Sequence, residues 1–170
     1  MTSLAIATQY QQSVSPETQT LEYWRLEITA ANNAFIHGQH ARAFSHYNAA
    51  LELATAGVAG LLDATQVDFV EEAERQIAAL VVTRHNLADL CHQAGQRDSA
   101  VEHLCSAHET LFQLLHHVNK DVHLLAQRHS NVTYQELLNF IKRYGQDLRI
   151  QQSFLLTKYA CVCCRQKIAH

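Results

Sequence analysis

The sequence predicts an all-α protein, and three observations support this prediction. Apolar residues recur at helical spacing along most of the chain, as at Leu21, Trp24, Ile28, Ala31 and Phe35. The 170 residues include one Pro and five Gly, a composition that favours long helices over a turn-rich β architecture. A Gly-centred pattern also occurs twice, which predicts an architecture built from repeated helix pairs.

The internal repeat has an offset of 57 residues. Residues 31–52 and 88–109 share seven identities: Ala31/Ala88, Gly38/Gly95, Gln39/Gln96, Ala43/Ala100, His46/His103, Ala50/Ala107 and Glu52/Glu109. In each copy a Gly lies between two apolar-periodic segments, and Gly accepts the positive φ that ends one helix and turns the chain. Each copy is therefore predicted to be an antiparallel helix pair, and the two pairs are predicted to stack.

The turn and capping residues predict where the helices begin and end. The predicted helices run from about Pro16 to His37, His40 to Ala56, Asp63 to Ala94, Arg97 to His129, Tyr134 to Tyr144 and Asp147 to Lys167. The sequence Gly57-Val58-Ala59-Gly60 is expected to end the second helix. The fourth helix is expected to be continuous, with Asn119-Lys120 as the alternative break. Thr133 and Glu136 form a predicted capping box after a loop at 130–132.

The domain organisation follows from these elements. Residues 1–15 are polar and aperiodic, which predicts a flexible tail. Residues 16–170 are predicted to form one domain. Its helix pairs lie at about 16–57 and 63–129, and its C-terminal helices lie at about 133–168. The last helix is expected to cover the exposed edge of the core, as terminal helices of repeat arrays do.

The spacing of the repeat resembles that of the tetratricopeptide repeat. That family places a small residue in the first helix, Gly at the turn, and Ala, a large apolar residue and Ala in the second helix. The matching residues are Ala31, Gly38, Ala43, Tyr47 and Ala50 in one copy and Leu87, Ala88, Gly95, Ala100, Leu104 and Ala107 in the other. Glu27 and Arg84 depart from the pattern, since they stand where the family has an aromatic residue. The resemblance implies an α-α superhelix of stacked antiparallel pairs with a C-terminal capping helix.

The resemblance also implies a function. First helices of the family's pairs line a concave groove that binds a protein or peptide segment, so the protein is expected to be a non-catalytic adaptor or chaperone-like regulator. The groove residues implied here are Arg25, Ile28, Asn32, Phe35, Ile36, His85, Asn86, Asp89, His92 and Gln93. Because His85 and His92 titrate near neutral pH, we expect an acidic segment to bind better as the pH falls.

Composition and missing motifs exclude several functional classes. The net charge of −3 argues against nucleic acid as a main partner, although residues 142–170 carry six basic side chains against one acidic. No run of about 18 apolar residues predicts a membrane span, and the N-terminus lacks the features of a signal peptide, so the expected location is the cytoplasm. No nucleophile motif, phosphate-binding loop or dinucleotide fingerprint is present, so neither an enzyme nor a cofactor is expected. The sequence is compatible with a homo-oligomer and does not predict an oligomeric state.

Cysteine and histidine provide the alternative hypothesis. Cys161 and Cys164 are three residues apart on one helix face, and together with His170 they suggest a thiol- or metal-responsive regulator. Burial of small apolar thiols is the more common role of such residues, so no metal site is assigned. His85, Asp89 and His92 also share a helix face, where a polar groove is favoured over an acid–base site.

Overall fold

The computed structural model describes residues 16–64 and 70–166, with side chains at 19–64 and 70–157. Within these ranges the chain forms six α-helices and no strand, which confirms the predicted all-α class. The helices are α1 (Pro16–Ile36), α2 (His40–Asp63), α3 (Val70–Gln93), α4 (Arg97–Leu114), α5 (Lys120–Tyr144) and α6 (Leu148–Gln166). The predicted tail at 1–15 lies outside the described residues.

The two predicted glycine turns have the same construction. Gly38 has a φ of 69° and Gly95 a φ of 74°, both in the region that only Gly adopts without strain. In each turn the Gly N–H donates to the carbonyl three residues back, and the following Gln N–H donates to the carbonyl five residues back. This second bond is the one that closes a helix in the Schellman motif. The repeat in sequence is therefore a repeat in backbone conformation.

The helices pack in a regular order. α1 pairs with α2, α3 with α4, and α3 also contacts α1, α2 and α5. α5 packs on α3 and α4, while α6 packs on α4. The small residues of the repeat, Ala43, Ala50, Ala100 and Ala107, are completely buried and allow these close helix contacts. None of the described helices combines the length and the apolar character needed to cross a membrane.

The prediction that Gly57–Gly60 ends the second helix is wrong. α2 continues through both glycines to Asp63, the residue predicted to cap α3. The reason is tertiary packing: Ala54, Val58 and Leu61 extend the buried stripe of α2 by two further turns. α3 begins at Val70, so Asp63 is the last residue of one helix and not the cap of the next.

The prediction of a continuous helix from Arg97 to His129 is also wrong, and the alternative break at Asn119-Lys120 is confirmed. α4 ends at Leu114, and Asn119 caps α5 by accepting hydrogen bonds from the N–H groups of Asp121 and Val122. Histidines complete this turn without Gly or Pro. His123 Nδ1 donates to the Leu115 carbonyl over 2.6 Å, and His117 Nδ1 accepts from the Asn119 N–H over 3.0 Å.

The predicted loop at 130–132 and the capping box at Thr133 are wrong, because α5 runs without interruption from Lys120 to Tyr144. Thr133 is buried on the same stripe as Val122, Leu137 and Phe140. Its hydroxyl donates to the Ser130 carbonyl within the helix. The predicted end at Gly145 is confirmed, with a φ of 84°. Assignment of residues 16–170 to one domain stays a prediction.

Candidate functional site

The contact between α1 and α3 brings the two predicted asparagines together. Tyr47 OH donates to Asn32 Oδ1 over 2.7 Å, and Asn86 Nδ2 donates to the same oxygen over 3.1 Å. Nearby, Trp24 Nε1 donates to Thr83 Oγ1 over 2.9 Å. These hydrogen bonds between helices satisfy amide and hydroxyl groups that packing has partly removed from water. Asn32 and Asn86 therefore hold α1 against α3.

The other predicted groove residues divide into buried and exposed groups. Ile28 is 8% exposed and belongs to the apolar core, and Phe35 is half-buried with its ring centroid 6.5 Å from that of Tyr47. The exposed members are Arg25, Ile36, Asp89 and Gln93. His85 and His92 are half-buried. Ile28 therefore lies inside the core, and the binding role of the ten residues stays a prediction.

His85, Asp89 and His92 line a cleft between α3 and α5, which we call the α3–α5 cleft. Its space, including open solvent at its mouth, is about 470 Å³. The lining residues are His85, Ala88, Asp89, His92, Leu104, Glu136, Asn139, Phe140, Arg143 and Tyr144. The cleft combines ionisable groups with aromatic and aliphatic surface, so it offers both charged and apolar contacts.

Burial and neighbouring charges perturb the ionisable groups of the cleft. Burial lowers the pKa of His85, although Glu136 and Asp89 act in the opposite direction. Partial burial raises the pKa of Asp89, and the nearby Glu136 carboxylate raises it further. His85 Nε2 is buried and has no hydrogen-bond partner in the described part of the chain. Such perturbed groups in a cleft mark a candidate functional site.

Aromatic stacking fixes the end of the cleft. The His92 ring lies 4.2 Å from the Tyr144 ring and 6.2 Å, edge to face, from the Phe140 ring. Arg97 stacks on Phe140, with its guanidinium carbon 5.4 Å from the ring centroid. The Arg97 Nη1 group also donates to the Tyr144 carbonyl over 2.8 Å. The C-terminal end of α5 is therefore anchored to α3 and α4.

The last helix is held by an ion-pair cluster outside the cleft. Arg149 of α6 donates to two carboxylates of α4, with Nε 2.8 Å from Glu102 Oε2 and Nη1 2.5 Å from Glu109 Oε1. The hydrogen bonds to Arg149 lower the pKa of Glu102 and of Glu109. Because a guanidinium matches two carboxylates geometrically, this cluster fixes α6 on α4. It has a structural role and forms no part of the cleft.

The cysteine hypothesis divides between described and undescribed residues. Cys91 and Cys105 are buried free thiols, and burial raises the pKa of Cys105 to about 12. Burial also raises the pKa of Cys91, so the thiolate is disfavoured at both positions and both are poor nucleophiles at neutral pH. The side chains of Cys161 and Cys164, and all of His170, lie outside the described residues. Among described residues no three His, Cys, Asp or Glu side chains could share a metal ion.

Sequence reasoning missed the contribution of α5 to the cleft, which supplies Glu136, Phe140, Arg143 and Tyr144. A signal was present in the chain. Glu136 lies nine residues before Gly145, as Asn86 lies nine residues before Gly95. Because a loop was predicted at 130–132, α5 was not recognised as a third long helix that ends at a glycine.

Comparison with known proteins yields one match. A family model described as "Protein of unknown function (DUF2753)" matches residues 22–167, which is most of the chain. Comparison with curated proteins gives no match, and neither does comparison with solved structures.

Proposed function

The chain belongs to the DUF2753 family of proteins of unknown function, and we propose from its geometry that it is a non-catalytic module that binds a segment of another protein. The binding surface is the face formed by α1, α3 and α5, which we call the odd-helix face. We also propose that α1–α5 form a tetratricopeptide-like superhelix, that α6 is its capping helix, and that the protein acts in the cytoplasm.

The superhelix is supported by the pattern of helix contacts. Each even-numbered helix up to α4 packs on the helix before it and on the helix after it, and α3 also contacts α1 and α5. A regular stack of helix pairs gives this pattern. The identical hydrogen bonds at Gly38 and Gly95 support equivalent pairs. The burial of Ile150 and the Arg149 cluster support α6 as the cover of α4.

The observation that carries the binding proposal is the position of the α3–α5 cleft on the odd-helix face. Asp89 and Gln93 of α3 are exposed there, and Arg25 and Ile36 are exposed on α1. A surface that combines ionisable, amide and apolar groups suits an extended or helical protein segment, because main-chain and side-chain groups both find partners. The cleft supplies the concave anchor point that interfaces use for a dominant side chain.

The test begins with a displayed library of random 12-residue peptides selected on the full-length chain. Selected peptides are then measured by fluorescence anisotropy against Asp89→Asn and Arg25→Gln, each of which removes one charge from the odd-helix face. We expect one or both substitutions to weaken binding by about tenfold, the usual effect of losing a charge-assisted contact at an interface.

Matched control substitutions lie on α2. Glu52→Gln changes an acid on the side of α2 opposite its buried residues, and Arg42→Gln changes an exposed base of the same helix. Both variants should bind the peptides as tightly as the original protein does. Binding that depends on Glu52 or Arg42, but on neither Asp89 nor Arg25, would assign the working surface to α2 and refute the proposal.

A further inference from the structure

The α3–α5 cleft carries a net negative charge at neutral pH. Its charged groups are Asp89 of α3 together with Glu136 and Arg143 of α5, and the cleft residue from α4 is the apolar Leu104. Burial keeps His85 mostly neutral, since it lowers the pKa of that ring. Among the described residues, none of these three charged side chains forms an ion pair within 4.0 Å. Two carboxylates thus face the cleft, and Arg143, whose charge acts on Asp89, lies within ion-pair distance of neither carboxylate.

The walls of the cleft suit a long cationic side chain. Phe140 and Tyr144 lie with ring centroids 4.8 Å apart, and Ala88 and Leu104 add aliphatic surface. Lysine and arginine pack their methylene stems on such surface while the charged head reaches polar groups. The face of an aromatic ring also attracts a cation. His85 lines the same cleft, but its Nε2 atom is buried and without a partner among the described residues, so the groups that a ligand can reach are the two carboxylates and the rings.

We infer that the α3–α5 cleft takes one lysine or arginine side chain of the bound protein segment, with its cationic head between Asp89 and Glu136. This inference rests on the proposed function and names the chemistry of its anchor residue. The sequence predicted an acidic segment because of His85 and His92. The inference is the opposite, because α5 adds the Glu136 carboxylate to the cleft.

The experiment uses small probes and the full-length protein. N-acetyl-arginine methylamide and N-acetyl-glutamate methylamide are titrated separately at pH 7, and the imidazole C2–H signals of His85 and His92 are followed by NMR. The arginine probe should shift both signals in a saturable manner, whereas the glutamate probe should leave them in place. Asp89→Asn and Glu136→Gln should each reduce the affinity for the arginine probe by about tenfold.

Glu71→Gln serves as the matched control, since Glu71 is an exposed acid at the opposite end of α3. This variant should bind the arginine probe like the original protein. Equal or larger shifts with the glutamate probe would overturn the inference. It would also be overturned if the response to the arginine probe persisted in the Asp89→Asn/Glu136→Gln double variant.

The peptide selection separates this inference from the proposed function. Selected peptides that need Asp89 and carry a common lysine or arginine support both. Peptides that bind the odd-helix face without any required basic residue leave the proposed function standing and refute the cationic anchor. A cleft that binds the arginine probe, in a protein whose selected peptides all depend on α2, would retain the cation site and refute the protein-segment proposal.

Discussion

The two glycine-centred helix pairs share a framework and differ in the chemistry of their first helices. Ala31, Ala43 and Ala50 of the first pair are buried, as are their counterparts Ala88, Ala100 and Ala107 in the second. The first-helix residues that meet the neighbouring first helix diverge, however. They are Ile28, Asn32 and Phe35 in α1, and His85, Asp89 and His92 in α3.

The difference follows from what each helix packs against. At the α1–α3 contact, Asn32 accepts hydrogen bonds from Tyr47 and Asn86, so the interface is neutral and satisfied. At the α3–α5 contact, Leu104 replaces the tyrosine, and the Glu136 carboxylate lies close enough to Asp89 to raise the pKa of that residue. The equivalent positions of the two pairs thus form a hydrogen-bonded contact between α1 and α3 and a charged cleft between α3 and α5. A charged cleft does not stabilise the packing of helices, and features of this kind are expected at functional sites.

The largest effect is expected where the two pairs are identical. Leu in place of Ala50 or Ala107, both fully buried, adds volume to a close helix contact. Each substitution should destabilise the fold by about 1–3 kcal/mol in urea unfolding. Ala59→Leu is the control, since Ala59 is exposed on α2 and should change stability little. Equal stability of the Ala50, Ala107 and Ala59 variants would show that the repeated alanines do not form the helix contacts.

This shared framework is the part of the fold that the sequence predicts well. The turns at Gly38 and Gly95, the ends of α1 and the all-α class follow from helical periodicity and from the conformation available to Gly. Gly57 and Gly60 do not end α2, because Val58 and Leu61 gain burial by remaining helical. Local propensity is a weak effect, and tertiary burial outweighs it at these positions.

The candidate site was harder to predict than the framework. Sequence spacing grouped His85, Asp89 and His92 on one face of α3, and the structure places all three in the α3–α5 cleft. Which helix faces them depends on long-range packing. The incorrectly predicted loop at 130–132 placed Glu136 and Phe140 in a separate short helix. The predicted groove therefore did not include α5. Ser130 and Asn131 favour turns locally, but the stripe from Val122 to Phe140 keeps them helical.

Tyr47 has a hydroxyl that its counterpart Leu104 lacks, and the next prediction concerns the hydrogen bond that this hydroxyl makes. Tyr47→Phe removes the hydrogen bond to Asn32 and leaves the apolar ring in the core. We expect a loss of about 0.5–1.5 kcal/mol in the free energy of unfolding. Tyr23→Phe at a half-exposed position is the matched control. An unchanged midpoint for Tyr47→Phe would mean that the hydrogen bond from Tyr47 to Asn32 contributes nothing to stability.

A pH-dependent difference is expected at His108, whose counterpart in the first pair is Leu51. His108 is 5% exposed and its Nδ1 donates to Thr133 Oγ1 over 2.9 Å, while burial lowers its pKa. The native state therefore binds fewer protons than the unfolded state, in which the pKa is about 6.5. Its contribution to stability is complete above that pH and is lost as the pH falls from there towards the native pKa.

Thermal midpoints at pH 7.5 and pH 5.5 test this assignment. His108→Asn keeps a donor near Thr133 but does not titrate, so its midpoint should fall less between the two pH values than that of the original protein. His116→Asn, at an exposed position, should retain the full decrease. If the decrease is the same with and without His108, its protonation does not govern acid stability.

The smallest effect on stability, and the most direct test of the comparison, concerns the equivalent His46 and His103. His46 Nδ1 donates to Glu27 Oε2 over 2.7 Å, whereas His103 Nδ1 accepts from Arg84 Nη1 over 3.3 Å. The identical histidine thus faces an acid in one pair and a base in the other. Burial lowers the pKa of His103, and the Arg84 charge lowers it further.

Arg84→Glu would give the second pair the acid of the first. A carboxylate at this position accepts an N–H bond from His103 and favours its protonated form, so the NMR titration midpoint of the His103 C2–H signal should rise. The change in unfolding free energy at pH 7 should stay within about 1 kcal/mol, since both partners are only partly buried. Arg75→Glu makes the same change of net charge on exposed surface of α3 and should leave the midpoint in place. A His103 midpoint that stays fixed or falls in Arg84→Glu would mean that burial, and not the residue opposite, sets the pKa of His103.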